Sequence, residues 1–97
     1  HLAAVLCCNF VNHLFELSYD VMAEQGVPFK ILFPLIEETF AKIYTLTPHE
    51  AQTGPALRWD ENVMQWHMAM LHDSRHREIY RLLSESIRVS HTRKAEK

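Results

Sequence analysis

Hydrophobic residues recur with the period of an α-helix along most of the chain. The first such stretch covers residues 2–25 and stops at Gly26, a residue that favours a helix C-terminus. The second covers residues 29–46, with Pro34 at its first turn or at a kink. Because no stretch has the alternating pattern of a strand, the sequence predicts an all-α fold, a bundle of about four main helices plus a short one.

Helix caps predict where the later helices begin. Thr47, Pro48 and Glu50 have the spacing of a capping box with proline at the first helical position, which begins a short helix. The other predicted caps and the helices that follow them are Asp60 before residues 61–71, and Asp73 or Ser74 before residues 75–89.

The first helix is apolar on nearly all sides. A helix of this kind is buried on most of its surface, which a lone domain of three or four helices rarely achieves. The pattern therefore predicts that a second chain or a second domain covers it. The residues concerned are Leu2, Val5, Leu6, Phe10, Val11, Leu14, Phe15, Leu17, Val21 and Met22.

The pattern assigns residues 1–90 to one helical domain and residues 91–97 to a disordered tail. His1 leads directly into the helical pattern without a methionine or a cap, which favours a domain of a larger protein.

Composition narrows the classes of function. The net charge of −2 gives no support for binding nucleic acid or a membrane surface, and no run of 18 uncharged residues predicts a membrane span. Neighbouring cysteines on a helix point about 100° apart, so Cys7 and Cys8 should not form a disulfide. We expect them to be buried and reduced, in a cytoplasmic protein.

One polar stripe interrupts the first helix. Asn9, Asn12, His13 and Glu16 lie at positions i, i+3, i+4 and i+7. Two interpretations stay open: the stripe bridges helices or an interface, or it lines a polar pocket in which His13 acts as a general acid or base or orients a carbonyl.

The segment between the second and the later helices concentrates polar groups around Gly54-Pro55. Gln52 and Thr53 could donate hydrogen bonds to a ligand, and Arg58 could bind a carboxylate or phosphate. Alternatively, Arg58 pairs with an acidic neighbour and Gly-Pro is a turn.

Metal and nucleotide motifs are weak or absent. His67, His72 and His76 lie close in sequence, but no cysteine or carboxylate completes a ligand set, so we expect no metal site. Gly26 and Gly54 are the two glycines, and they cannot form the G-x-G-x-x-G fingerprint of a dinucleotide site.

Several segments resemble the C-terminal domain of a group of NAD(P)-dependent oxidoreductases, a helical domain of unknown function that follows a Rossmann-like domain. It is similar to the C-terminal domains of pyrroline-5-carboxylate reductase and 6-phosphogluconate dehydrogenase. The segments are His1–Val5, Asn9–His13, Leu35–Thr39, Thr47-Pro48, Glu50–Ala56 with Arg58 and Asp60, and Ile79–Ser84.

The resemblance implies a cytoplasmic homodimer through the first helix. It also implies an active site between this domain and an N-terminal nucleotide-binding domain that is absent from the chain and would bind NADP or NAD. The implied reaction is hydride transfer with a small carbonyl, imine or hydroxyl substrate. The implied cleft residues are His13 and Asn9 for catalysis, and Asn12, Gln52, Thr53 and Arg58 for substrate binding. The alternative is a non-catalytic helical dimerisation or interaction module.

Overall fold

The computed structural model describes the backbone of residues 1–95 and the side chains of residues 1–92. No strand occurs within these residues, which confirms the all-α class. The elements in chain order are α1 (Leu2–Ala4), a π-helical turn (Val5–Asn9), α2 (Phe10–Glu24), a 3-10 helix (Phe29–Leu32), α3 (Phe33–Lys42), α4 (Pro48–Ala51), α5 (Pro55–Arg58), α6 (Glu61–Met70) and α7 (Ser74–Ala95).

The first helix is continuous from Leu2 to Glu24, as the sequence predicts. It ends in a Schellman motif: the amide of Val27 donates to Met22 O at 3.0 Å, and that of Gly26 to Ala23 O at 3.0 Å. Gly26 has a φ of +69°, the left-handed conformation that this motif requires.

The second predicted helix is divided and ends early. Pro34 lies in the first turn of α3, directly after the 3-10 helix, where its missing N–H breaks no helical hydrogen bond. α3 stops at Lys42 instead of Leu46, because the chain must reach the extended conformation of Thr47 (φ −68°, ψ 151°). The intervening residues form tight i→i−3 turns, as in the 3.2 Å bond from the amide of Ile43 to Phe40 O.

The predicted capping box is present at α4. Thr47 Oγ1 accepts from the Glu50 amide at 3.3 Å, and Glu50 Oε1 accepts from the Thr47 amide at 3.2 Å. The Thr47 hydroxyl also donates to Glu50 Oε1 at 2.8 Å, and this bond together with the bond from the Thr47 amide holds the pKa of the Glu50 carboxyl below its usual value.

The segment after α4 contains a helix that the sequence interpretation treated as a break. Pro55 begins α5 at its first position, where a proline suits a helix, and the three residues after it favour helix. Trp59 ends α5 with a φ of +52°, and it is the one non-glycine residue of the described chain with a positive φ.

The caps of the last two helices also agree with prediction. Asp60 Oδ1 accepts from the Val63 amide at 3.4 Å, and Asp73 Oδ1 accepts from the Arg75 amide at 2.7 Å. The Arg75 side chain also binds Asp73, and together these contacts hold the pKa of Asp73 far below its usual value.

The last helix is longer than expected. α7 continues to Ala95, whereas the sequence predicts its end near Val89 and a tail over residues 91–97. Residues 90–95 contain no glycine or proline to stop the helix. The end of the predicted tail, residues 96–97, lies outside the described residues.

The chain divides into two compact units, His1–Thr39 and Phe40–Lys97. In the first, α2 packs against the 3-10 helix through Tyr19 and Phe29, whose ring centroids are 5.7 Å apart. In the second, α5 packs on α6 and α7 around buried Ala56, Met64 and Ser84.

The first unit leaves a large apolar surface exposed. Leu2, Leu6 and Phe10 keep 71%, 54% and 55% of their surface exposed, and no residue of this unit is fully buried. By length and composition the helix Leu2–Glu24 could cross a membrane, although the sequence interpretation expected no span. That is weak support for a membrane, because a helix that packs in a protein core passes the same test.

Candidate functional site

The polar stripe of the first helix is exposed in the structure. Asn9 ends the π-helical turn, and Asn12, His13 and Glu16 follow on α2. His13 Nδ1 lies 3.2 Å from Glu16 Oε1, within the distance of a hydrogen bond. A carboxylate at one ring nitrogen orients the imidazole and leaves Nε2 to meet a ligand, which is the arrangement of an oriented acid or base.

A π-helical turn, Val5–Asn9, contains the first residue of this stripe, and the sequence interpretation did not predict this turn. Such turns are rare in proteins, and those that do occur are often found at functional sites. It contains Cys7 and Cys8, whose Sγ atoms lie 3.8 Å apart as free thiols. Both are exposed, not buried as expected, because nothing in the described chain covers this side of the helix. The hydrogen bond to Cys7 raises the pKa of the Cys8 thiol, which disfavours a reactive thiolate.

The second group of candidates surrounds Gly54. Gln52 is half-buried, and its Nε2 donates to Thr53 O at 2.9 Å, while the Thr53 side chain is exposed. Gly54 has a φ of +104°, so the backbone turns sharply here and then enters α5. Arg58 at the end of α5 is exposed and forms no ion pair with any described residue. An exposed guanidinium is available to bind an anion.

The candidates thus form two local groups. The asparagines and His13 share one helical face in the first unit, and Gln52, Thr53 and Arg58 lie on one short segment of the second.

A groove between α6 and α7 was missed by the sequence interpretation. It encloses about 380 Å³, and Trp59, Met64, Met68 and Tyr80 contribute to its lining. The interpretation assigned the tryptophans and methionines of this region to a core or interface. Met64 is buried, whereas Trp66 keeps 77% of its surface exposed. The helical spacing of the methionines indicated burial but gave no sign of an open groove.

In the part of the chain that the structure describes, no group of three or more His, Cys, Asp or Glu side chains could hold a metal ion. His76 Nε2 lies 4.0 Å from Asp73 Oδ2, and that carboxylate also binds Arg75.

Comparison with known proteins shows what this chain is similar to. Among curated proteins, none matches the chain significantly. The chain is similar to the crystal structure of a putative NADP oxidoreductase from Bacteroides fragilis, with 47% identity and a TM-score of 0.86. The similarity covers 91% of this chain and 34% of that one, so the chain spans about a third of the length of its structural relative.

The chain is thus similar to the helical part of an oxidoreductase, in agreement with the resemblance described above. A protein family described as Domain of unknown function (DUF2520) matches residues 1–87, nearly the whole of the described chain. The chain belongs to this family.

Proposed function

We propose that this chain is the C-terminal dimerisation and substrate-cleft domain of a cytoplasmic NADP-dependent oxidoreductase. The reaction would be hydride transfer between the nicotinamide and a small carbonyl, imine or hydroxyl substrate. The observation that carries the proposal is the similarity to a putative NADP oxidoreductase over 91% of this chain at 47% identity.

The sequence of this chain lacks the glycine-rich fingerprint of a dinucleotide site. Its two glycines stand 28 positions apart, at Gly26 and Gly54, and the chain contains no glycine-rich phosphate loop. The proposal therefore assigns the cofactor to another domain of such an enzyme and assigns the substrate to this one.

His13 is the proposed proton donor or acceptor for the substrate. Its contact of 3.2 Å with Glu16 supports this role, since a carboxylate partner at Nδ1 orients the ring. Asn9 and Asn12 on the same face supply amide groups that can hydrogen-bond a reacting oxygen or nitrogen.

Arg58, Gln52 and Thr53 are the proposed substrate-binding groups of the second unit. The exposed guanidinium of Arg58 suits a substrate carboxylate, with which it can form two parallel hydrogen bonds. The glycine at position 54 allows a ligand to approach the backbone closely.

The proposed dimer would form through the first helix. Leu2, Leu6 and Phe10 are at least half exposed in the single chain, and a contiguous apolar surface of this kind commonly marks a protein interface. The same surface favours a second candidate function, a helical interaction module without catalysis.

NADPH binding by the intact natural protein separates these two functions. We expect saturable binding by fluorescence titration and NADPH oxidation with at least one member of a panel of small ketones, imines and 2-oxo acids. A protein that self-associates but binds neither NADPH nor NADH would support the interaction module instead.

The role of His13 is tested by His13→Ala in the same protein, with His72→Ala as the control in the other unit. We expect kcat to fall by about 100-fold or more for His13→Ala, the usual contribution of an acid or base, with NADPH binding unchanged. Unchanged turnover by His13→Ala would remove this residue from the chemistry.

A further inference from the structure

The segment that carries Gln52, Thr53 and Arg58 is attached to α7 on both sides. On the C-terminal side of the segment, the guanidinium of Arg88 lies 4.2 Å from the ring centroid of Trp59. On its N-terminal side, the rings of His49 and His91 stack with their centroids 3.9 Å apart and an angle of only 11° between their planes. Because Arg88 and His91 are three residues apart on α7, they share one face of that helix.

The backbone conformation between these two contacts requires stabilising contacts from the rest of the structure. Trp59 has a φ of +52°, which is unfavourable for a large aromatic residue and persists only where the surrounding structure holds it. Gly54 has a φ of +104°, which a glycine adopts without this cost. Between these two residues, Ala56 is only 5% exposed, within an α5 that packs on α7.

We infer that Arg88 and His91 are positioning residues that hold the proposed substrate-binding segment in the conformation seen in the structure. Arg88 acts through Trp59, because a cation over an indole face is attracted to the ring and so fixes the residue that ends α5. His91 acts through His49 on α4, four residues before Thr53. The role of the segment rests on the proposed function, whereas its attachment to α7 does not.

Hydrogen exchange of the intact protein tests the contribution of Arg88. The reporters are the amides of Trp59 and Asp60, which bond to Ala56 O at 3.3 Å and Pro55 O at 2.9 Å. We expect Arg88→Ala and Arg88→Met to speed their exchange about two- to fivefold, the range of an exposed cation–π contact. Arg88→Lys should restore most of the protection, since it keeps the cation.

Arg77→Ala is the matched control. Arg77 lies on α7 about three helical turns before Arg88, and its replacement by alanine removes the same charge. It should leave exchange at Trp59 and Asp60 unchanged. For the other contact, His91→Ala should speed exchange of the Ala51 amide, which bonds to Thr47 O at 3.0 Å, and His91→Phe should not.

The inference is overturned if Arg88→Ala exchanges like the natural protein, if Arg77→Ala has an equal effect, or if Arg88→Lys fails to restore protection. These rates do not depend on catalysis. A protein that binds no NADPH but shows the expected exchange pattern would refute the proposed function and leave the positioning role of α7 standing.

Discussion

The hydroxyl oxygen of Tyr80 on α7 lies 2.7 Å from Nδ1 of His67 on α6, and the two rings meet edge to face with centroids 5.7 Å apart. This contact joins residues 13 positions apart and ties the two longest helices of the second unit together. Both side chains are partly buried, so water does not fully replace the hydrogen bond when it is lost.

Removing the Tyr80 hydroxyl should therefore destabilise the second unit. We expect Tyr80→Phe to lower the free energy of unfolding by about 1 kcal/mol in urea denaturation, the net value of one partly buried hydrogen bond. Tyr44→Phe is the control, because Tyr44 keeps 85% of its surface exposed. Equal losses for the two variants would mean that the bond to His67 adds no stability.

Stability should also fall at alkaline pH because of Tyr80. Burial raises the pKa of Tyr80 above its ordinary value of 10, so the unfolded chain releases this proton at a lower pH than the folded chain does. The contribution of protonated Tyr80 to the free energy of unfolding is complete below pH 10 and is lost as the pH rises through the folded-state pKa of Tyr80. Urea denaturation between pH 9 and pH 11 should show a steeper loss for the natural protein than for Tyr80→Phe. Parallel curves for the two proteins would contradict this.

The two glycines should differ in their tolerance of alanine. An added Cβ meets no atom within 4 Å at either position, so the cost comes from the backbone conformation alone. Gly54, with φ +104° and ψ 170°, lies in a region that is nearly closed to other residues, at a cost of roughly 1–3 kcal/mol. Gly26 lies in the left-handed helical region, where alanine costs about 1 kcal/mol.

Thermal unfolding of Gly54→Ala and Gly26→Ala checks this order. Gly54→Ala should have the lower Tm, and it should also raise the KM for substrate if the segment binds substrate as proposed. A lower Tm for Gly26→Ala would show that alanine costs more in the Schellman turn than in the turn before α5.

The exposed apolar face of the first helix should mediate self-association. We expect the intact protein to be a dimer at micromolar concentration by light scattering, and Leu6→Glu to weaken the dimer by about 30-fold or more, as for a central interface residue. Asp20→Lys, at an exposed polar position of the same helix, is the control. A natural protein that is monomeric under these conditions would contradict the dimer through this helix.

Local chemistry made much of the fold predictable from the sequence. Gly26 ends the first helix, Thr47 and Glu50 begin α4, and Asp60 and Asp73 cap α6 and α7, because each of these signals acts within four residues of itself. The family also follows from the sequence, since its match covers residues 1–87.

The tertiary structure decided what depends on residues far apart in the chain. The contact of Arg88 with the left-handed Trp59, the His49–His91 stack and the His67–Tyr80 bond all join residues that lie 13 or more positions apart. Periodicity and caps report only on neighbouring residues, and they carry no information on such pairs. The sequence alone determined the helix ends that carry local caps and the residue types of the candidate site, and tertiary packing determined how the segment from Gln52 to Arg58 is held against α7.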